Sequence, residues 1–339
     1  MMGKRAILLI NTGTPDSPGF GDVWRYLTQF LNDKRVITMP AIARFLLVNG
    51  IIIPFRVRKS AGLYRKVWSR WGSPLRIHSE RVAEALGKEL GDEYSVFIAM
   101  RYGKPSIAKV LKEIKSSGIS GITVVPLFPQ KASSTTGSAI EMVMKHLARW
   151  EPKPEIRVID HFHDHIGFIE AEASILKMYS PREYDHVLFS FHGLPLQHIS
   201  EIHRENGHSG NCYRDGNTID CRLCYAGACH ETARLIADKL MLDEGKYSVA
   251  FQSRFSKGWT SPFSDEEIVR LANTGVRRLL VVSPSFVADC LETIVEVGMD
   301  YKELFTRTNG GELTLAGSLN SSPEWVRGLA SIVRDPISE

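Results

Sequence analysis

The sequence lacks a hydrophobic run long enough to cross a membrane. Its longest apolar stretch, at 45–53, is interrupted by Asn49 and Gly50 and ends at Pro54. It therefore falls short of the ~30 Å hydrocarbon core of a bilayer. The basic first residues lead into a strand-like run and not into a secretory leader. These two absences predict a cytoplasmic protein.

The sequence also lacks a strong charge of either sign and any Gly-rich phosphate-binding motif. Its 42 basic and 38 acidic residues leave a formal net charge of +4, so no nucleic-acid partner is expected. Neither a P-loop nor G-x-G-x-x-G occurs, which disfavours a nucleotide. Basic residues do follow the apolar stretch, including Arg56, Arg58 and Lys59. A peripheral contact with the inner membrane face is one interpretation, and a buried helix with a solvated basic end is the other.

Eight short runs rich in Val, Ile, Leu and Phe are present, mostly separated by segments of helical length. Such continuous apolar runs are typical of strands covered on both faces. Their alternation with helices predicts an α/β protein with parallel sheets. The eight runs lie at 6–10, 94–99, 122–127, 156–159, 187–191, 247–251, 278–282 and 313–316.

The eight runs divide four and four near residues 160–181. We therefore predict two similar α/β lobes, each with a four-stranded parallel sheet flanked by helices, and a cleft between them. The first lobe is expected at 1–165 and the second at 166–320. A helix within 321–339 is expected to pack back on the first lobe.

The most informative stretch is 187–195, where an apolar run stops at His192 and Gly193 and Pro195 turn the backbone. Open parallel sheets bind ligands at the carboxyl ends of their strands, which is where this imidazole would lie. Because the ring titrates near neutrality, it can accept a proton or hold a metal. The alternative is a histidine that only caps a strand.

Four acidic residues, Asp289, Glu292, Glu296 and Asp300, are spaced by three, four and four positions. This spacing predicts that they share one face of a helix. Like charges stacked along one face destabilise a helix, so the acidic stripe needs a functional reason. A path that passes a divalent cation inward would supply that reason. A capping box at Asp289 and Glu292 is the alternative, although it leaves Glu296 and Asp300 unexplained.

Four of the five cysteines lie within eighteen residues: Cys212, Cys221, Cys224 and Cys229. Without a secretory leader, structural disulfides are disfavoured. Four thiolates suit zinc or an iron–sulfur cluster, and the residues alone leave both open. The fifth, Cys290, is expected to be a buried or site-lining thiol.

Residues 189–195 and 289–293 together resemble the two signature motifs of the ferrochelatase family. Further matches follow in order along nearly the whole chain, at 9–15, 72–75, 100–102, 129–130, 134–137, 251–254 and 259. The resemblance implies two Rossmann-like lobes around a cleft and insertion of Fe²⁺ into protoporphyrin IX, the last step of protoheme synthesis. The set at 134–137 resembles the members that use protoporphyrin.

The resemblance also implies roles for individual residues. His192 and Glu292 would be the catalytic pair and contact the substrate iron, and Glu296 and Asp300 would continue a metal path. Many relatives have His after the Asp of the second motif, where this chain has Cys290. Porphyrin contacts are expected at Asn11, Arg58, Arg101, Tyr102, Ser134, Gln252, Ser253 and Trp259.

Some ferrochelatases carry a [2Fe–2S] cluster, and a bacterial subset has four cysteines inside the chain at about this position. The resemblance therefore favours [2Fe–2S] over zinc at Cys212, Cys221, Cys224 and Cys229. Two other functions stay open on the sequence. One is a chelatase for another metal or tetrapyrrole, and the other is a non-catalytic heme- or metal-binding protein. Nothing in the sequence indicates an oligomeric state.

Overall fold

The computed structural model describes residues 4–119, 121–199 and 224–335. Its contacts divide the chain into two units. The first is formed by Met1–Phe128, Ala132–His161 and Val333–Glu339, and the second by Pro129–Lys131 and Phe162–Ile332. Each unit contains one four-stranded parallel sheet. The predicted α/β class with two such sheets is confirmed.

In the first unit the strand order is β2-β1-β3-β4. The two inner strands are buried because helices cover both faces; residues 6–10 of β1, for example, are 0% exposed. The strands are β1 (Arg5–Thr14), β2 (Tyr94–Gly103), β3 (Gly121–Pro126) and β4 (Glu155–Val158). The helices are α1 (Phe20–Leu31), α2 (Ala41–Leu47), α3 (Ile53–Val67), α4 (Pro74–Leu90), α5 (Ile107–Ser116) and α6 (Ser138–Leu147). Two π-helical segments, Val48–Ile52 and Ser133–Gly137, precede α3 and α6.

Strands β1 and β2 extend several residues beyond the apolar runs that predicted them. Their polar ends continue the ladder, with Gly13 paired to Tyr102. Gly13 has φ +103°, and a Cβ there would lie 1.8 Å from the Tyr102 carbonyl oxygen. Only glycine fits this close approach. The ladder therefore carries the polar residues of both strand ends in register.

In the second unit the order is β6-β5-β7-β8, so β5 is an inner strand. Its strands are β5 (His186–His192), β6 (Tyr247–Gln252), β7 (Arg278–Val282) and β8 (Glu312–Leu315). The helices are α7 (Ile166–Lys177), α8 (Tyr225–Leu240), α9 (Ser264–Asn273), α10 (Lys302–Asn309) and α11 (Pro323–Arg334). A π-helical segment, Glu292–Tyr301, runs directly into α10.

The C-terminal helix α11 has its body in the second unit. The Trp325 ring packs against Phe162 and Phe168, with ring centroids 5.8 and 6.0 Å apart. Only the residues from Val333 onward belong to the first unit, where the Arg157 guanidinium donates to the Val333 carbonyl. Burial of the Trp325 side chain holds the first turns of α11 in the second unit.

No helix among the described residues combines the length and the apolar character needed to cross a membrane.

Candidate active site

The carboxyl ends of three strands of the second unit bring His192, Gln252 and Ser285 together. His192 is the last residue of β5 and is in register with Gln252, the last residue of β6. On the other side, pairing with β7 ends at Phe189 and Val282. Ser285 lies three residues beyond Val282, and its Oγ accepts a hydrogen bond from the His192 N–H at 3.3 Å. The sheet topology therefore places Gln252 and Ser285 on either side of the His192 backbone.

The His192 ring is held in one tautomer by its own neighbour. Nδ1 lies 2.7 Å from the Gly193 carbonyl oxygen. A carbonyl can only accept, so Nδ1 carries the hydrogen and Nε2 of the neutral ring keeps its lone pair. The ring is half-buried near Trp259 and Phe286, at centroid distances of 6.5 and 6.0 Å. The geometry thus presents Nε2 as a proton acceptor.

A glycine is required at position 193 because a Cβ would not fit there, and not because the backbone takes a positive φ. Its N–H donates to the Gln252 carbonyl at 2.8 Å. A Cβ at Gly193 would lie 2.9 Å from that carbonyl oxygen and 3.4 Å from Trp259 Cε3. The glycine of the 189–195 motif therefore allows β5 and β6 to stay close at the point where the imidazole leaves the sheet.

The acidic segment is π-helical and not α-helical, and it begins at Glu292. Asp289 precedes it, so the prediction that all four acidic residues share one helix face is wrong for Asp289. Its carboxylate accepts from Asn320 Nδ2 at 2.8 Å and from the Ser318 N–H at 3.3 Å. Asp289 therefore ties the start of the segment to the loop before α11. π-Helical turns are rare and are frequently found at functional sites.

Glu296 is engaged by several donors. It accepts hydrogen bonds from the Ser253 N–H at 2.7 Å, from the Ser253 hydroxyl and from the Tyr301 hydroxyl at 2.9 Å. Ser253 has φ +63°, a strained value for a residue with a side chain. Burial and the neighbouring Glu296 carboxylate raise the pKa of Tyr301, which stays a donor. In this structure Glu296 holds the turn after β6, whereas Asp300 is exposed.

Glu292, the first residue of the π-helical segment, is half-buried. The Cys290 thiol is hydrogen-bonded to its carboxylate. Burial raises the pKa of the Cys290 thiol well above its ordinary value, and the Glu292 charge raises it further. Cys290 therefore stays a neutral thiol that donates to Glu292.

In the first unit, Arg101 and Tyr102 bind a buried carboxylate that sequence reasoning missed. Arg101 Nη2 and the Tyr102 hydroxyl lie 2.5 and 2.9 Å from Asp33 Oδ2. Burial acts to raise the pKa of Asp33, but hydrogen bonds from Ser138, the Arg35 N–H and Tyr102 outweigh it and lower the pKa. Asp33 follows α1 without any motif, so no local signal marks it. Both predicted porphyrin-binding side chains are thus committed to an internal network.

The other predicted porphyrin contacts differ in their exposure. The buried Asn11 amide donates to Ser79 Oγ at 3.1 Å, and its oxygen accepts the Thr12 N–H at 2.8 Å. The buried Gln252 Oε1 accepts from the Ser190 hydroxyl at 2.8 Å. These two amides therefore serve internal contacts. Four other predicted contacts are half-buried or exposed: Arg58, Ser134, Ser253 and Trp259.

Two of the four clustered cysteines, Cys224 and Cys229, lie within the described residues, and Cys212 and Cys221 lie outside them. Cys224 is the N-cap residue of α8, and Cys229 lies in its second turn. Both thiols are buried. Burial raises the pKa of Cys229, and a hydrogen bond with the Tyr225 hydroxyl opposes that effect.

A model of the ferrochelatase family matches residues 4–337. The chain belongs to the ferrochelatase family. A ferrochelatase of Legionella pneumophila strain Paris is 41% identical over 337 residues, covering 98% of this chain and 100% of the relative. A ferrochelatase of Coxiella burnetii strain RSA 493 is 40% identical, with 98% and 93% covered.

Solved structures of more distant proteins share the fold of this ferrochelatase. SirB from Bacillus subtilis with Fe³⁺ matches with a TM-score of 0.56 at 14% identity, covering 98% of this chain and 94% of SirB. The cobalt complex of the sirohydrochlorin chelatase SirB from B. subtilis subspecies spizizenii matches with a TM-score of 0.54 at the same identity and coverage. At this identity the likeness concerns the fold alone.

Proposed function

We propose that His192 and Glu292 carry out the reaction of this ferrochelatase: insertion of Fe²⁺ into protoporphyrin IX to give protoheme, with release of two protons, in heme biosynthesis. Membership of the ferrochelatase family supports the reaction. The observation that carries the residue assignment is the hydrogen bond between His192 Nδ1 and the Gly193 carbonyl. It leaves Nε2 free to accept a proton.

The proton acceptor is needed because a free-base porphyrin loses two pyrrole protons as the metal enters. A neutral imidazole close to the ring takes these protons one at a time and passes them on. A planar macrocycle also hides its lone pairs from an approaching cation. Bending it costs about 1–5 kcal/mol, which binding elsewhere on the ligand supplies.

Glu292 is assigned to the substrate iron. A carboxylate oxygen is a suitable ligand for a divalent cation and replaces part of its water shell. The side chain is half-buried, and the Cys290 thiol donates to its carboxylate. The proposed metal path continues through Glu296 and Asp300. At Glu296 the cation would take the place of the donors from Ser253 and Tyr301.

Porphyrin contacts are proposed for each unit separately. In the first unit, the exposed guanidinium of Arg58 is proposed to pair with a propionate of the porphyrin. The other proposed porphyrin-binding residues of this unit are Asn11, Arg101, Tyr102 and Ser134. In the second unit the set is Gln252, Ser253 and Trp259. Trp259 is the strongest candidate for a contact with the macrocycle, since its half-buried indole lies beside the His192 ring.

The direct test is an anaerobic assay of the purified protein with Fe²⁺ and protoporphyrin IX, followed by the shift of the Soret band. We expect protoheme to form with turnover. Parallel assays with coproporphyrin and with Co²⁺ separate this activity from that of another chelatase. Tight porphyrin binding without metal insertion would instead establish a non-catalytic binder and contradict the proposal.

We further propose that Cys212, Cys221, Cys224 and Cys229 hold a [2Fe–2S] cluster, as in the bacterial subset with internal cysteines. The two described thiols fit such a group, because they are buried and lie at the start of α8. The N-terminus of α8 favours a thiolate at its N-cap residue, Cys224. When bound, the cluster would supply a structural cross-link and a redox-active chromophore.

Substituting one cysteine is expected to remove the chromophore. Protein purified anaerobically with adequate iron should be coloured and contain about two iron atoms and two sulfides per chain. The Cys229→Ser variant should lose the visible absorption, because serine does not replace a thiolate. The Cys290→Ser variant, which changes a buried thiol outside the motif, should keep it. A colourless, zinc-loaded wild-type protein would show that zinc occupies the site.

The helix α2 and the residues after it form an exposed apolar surface, here called the α2 patch: Ile42, Phe45, Leu46, Ile51 and Phe55. Among the described residues α2 itself has no buried side chain. The exposed basic residues Arg56, Arg58 and Lys59 follow it directly. Apolar side chains next to cations suit an anionic lipid surface. We propose that the α2 patch makes a peripheral contact with the inner membrane face and that the protein is otherwise cytoplasmic.

Removing two phenyl rings from the α2 patch is expected to weaken vesicle binding. The Phe45→Ser, Phe55→Ser double variant should bind vesicles of anionic phospholipid at least about tenfold less tightly in a sedimentation assay, because buried apolar area drives this contact. The matched control is Phe255→Ser, which removes a ring that is 72% exposed in the second unit. Equal binding by the double variant and the wild type would contradict the contact.

A further inference from the structure

Both backbone polar groups of His192 are held by hydroxyls from other elements. Its carbonyl accepts a hydrogen bond from the Tyr225 hydroxyl at 2.7 Å. Its N–H donates to Ser285 Oγ at 3.3 Å. The two hydroxyl oxygens are themselves 3.4 Å apart. Tyr225 and Ser285 therefore close a ring of hydrogen bonds around the His192 backbone.

These hydroxyls take the place of a missing strand partner. The pairing of β5 with β7 ends at Phe189, three residues before His192. On the β6 side the ladder continues, because the Gly193 N–H donates to the Gln252 carbonyl at 2.8 Å. Buried backbone groups without partners are costly. Tyr225 and Ser285 satisfy the two groups that face the β7 side.

Hydrogen bonds hold both peptide planes that lie between the His192 ring and the carbonyl it binds. The peptide plane between His192 and Gly193 is held at one edge by Tyr225 and at the other by the Gln252 carbonyl. The next plane is held by Thr260 Oγ1, which accepts the Leu194 N–H at 3.1 Å. That second plane contains the Gly193 carbonyl, the acceptor for His192 Nδ1.

We propose that Tyr225 is a positioning residue that keeps His192 in the Nδ1–H tautomer and so leaves Nε2 as the acceptor. The inference rests on the proposed role of His192 as a base. Without the Tyr225 hydroxyl, the plane between His192 and Gly193 loses one of its two restraints. This plane carries the His192 Cα, so its rotation moves Nδ1 away from the Gly193 carbonyl.

Tyr225 is well suited to this role. Its side chain is buried, and its hydroxyl donates to the His192 carbonyl at 2.7 Å. Tyr225 follows Cys224 directly in the sequence, and its hydroxyl also bonds to the Cys229 thiol. One side chain thus contacts both the end of β5 and the cysteine motif.

The test is the Tyr225→Phe variant, which keeps the ring and removes only the hydroxyl. We expect kcat for Fe²⁺ insertion to fall about tenfold, with KM for protoporphyrin unchanged, because the base is misdirected while the binding groups stay. Long-range ¹H–¹⁵N spectra of ¹⁵N-histidine protein should show protonated Nδ1 for neutral His192 in the wild type. In the variant the Nε2–H tautomer should appear. The His192→Gln spectrum identifies the signal.

Two further variants complete the design. Tyr179→Phe is the matched control, because the Tyr179 hydroxyl also binds the backbone of the second unit, accepting the Gly317 N–H at 3.0 Å. This variant should leave kcat and the histidine spectrum unchanged. Ser285→Ala removes the second hydroxyl of the ring and should lower kcat in the same direction. Wild-type kcat and tautomer in both Tyr225→Phe and Ser285→Ala, with His192→Ala inactive, would overturn the positioning role alone. An active His192→Ala protein would instead overturn the proposed function.

Discussion

Replacing His192 with alanine is expected to lower kcat for Fe²⁺ insertion into protoporphyrin by about 10²–10⁴-fold. Among the described residues, the variant removes the only group at the end of β5 that the structure presents as a proton acceptor. The side chain is half-buried and contacts rings and its own turn, so its loss should leave the fold intact. Initial rates under anaerobic conditions measure the effect.

Chemical rescue makes this prediction specific for proton transfer. The cavity left by His192→Ala should admit free imidazole, and added imidazole should restore part of the lost rate. The control is His146→Ala, which removes a partly buried imidazole from α6 in the first unit, and it should insert iron at the wild-type rate. Less than a tenfold loss in His192→Ala would sink the assignment of the base.

Replacing Glu172 with glutamine is expected to stabilise the protein, by an amount that grows with pH. Glu172 lies in α7 with 3% of its surface exposed. Burial raises the pKa of its carboxyl to about 8. The fold therefore keeps the carboxyl protonated at pH values where the unfolded chain, with a pKa of about 4.3, releases the proton. The native state binds more protons, so stability falls as pH rises between about 4.3 and 8.

Glutamine keeps the shape of the protonated carboxyl and does not titrate. At 1.36 kcal/mol per pH unit, the gain in free energy of unfolding should be about 2 kcal/mol at pH 5.5 and about 5 kcal/mol at pH 8. Urea titrations at the two pH values measure it. Glu170→Gln, two residues earlier, breaks only a surface pair with Lys239 and should change stability by less than about 1 kcal/mol at either pH. An equal gain at both pH values would contradict the buried, protonated Glu172.

The architecture could be predicted because its signals are local. Each strand is a short apolar run bounded by polar or turn residues, and each of the eight predicted runs corresponds to a strand of the structure. The same locality marks His192, which follows such a run directly. The ends of β1 and β2 were missed because their last residues are polar and pair through backbone groups, which carry no apolar signature.

The acidic segment shows where local patterns stop being sufficient. Spacings of three and four fit an α-helix, yet Asp289 lies outside the helix and Glu292–Tyr301 is π-helical. Asp289 instead binds the loop at Ser318 and Asn320. The partner of Glu296 is likewise the turn at Ser253, 43 residues away. No spacing within the segment encodes these contacts.

The sequence by itself determined the α/β class, the two sheets, the family and the candidate residues, because runs, spacings and motifs are properties of neighbouring positions. Only the tertiary structure decided what those residues contact. Tyr225 reaches the His192 carbonyl across 33 positions, and Arg101 reaches Asp33 across 68. Such pairs depend on which strands and helices become neighbours after folding. The partner of the His192 carbonyl and the commitment of Arg101 therefore follow from packing, since buried polar groups must find partners wherever the fold places them.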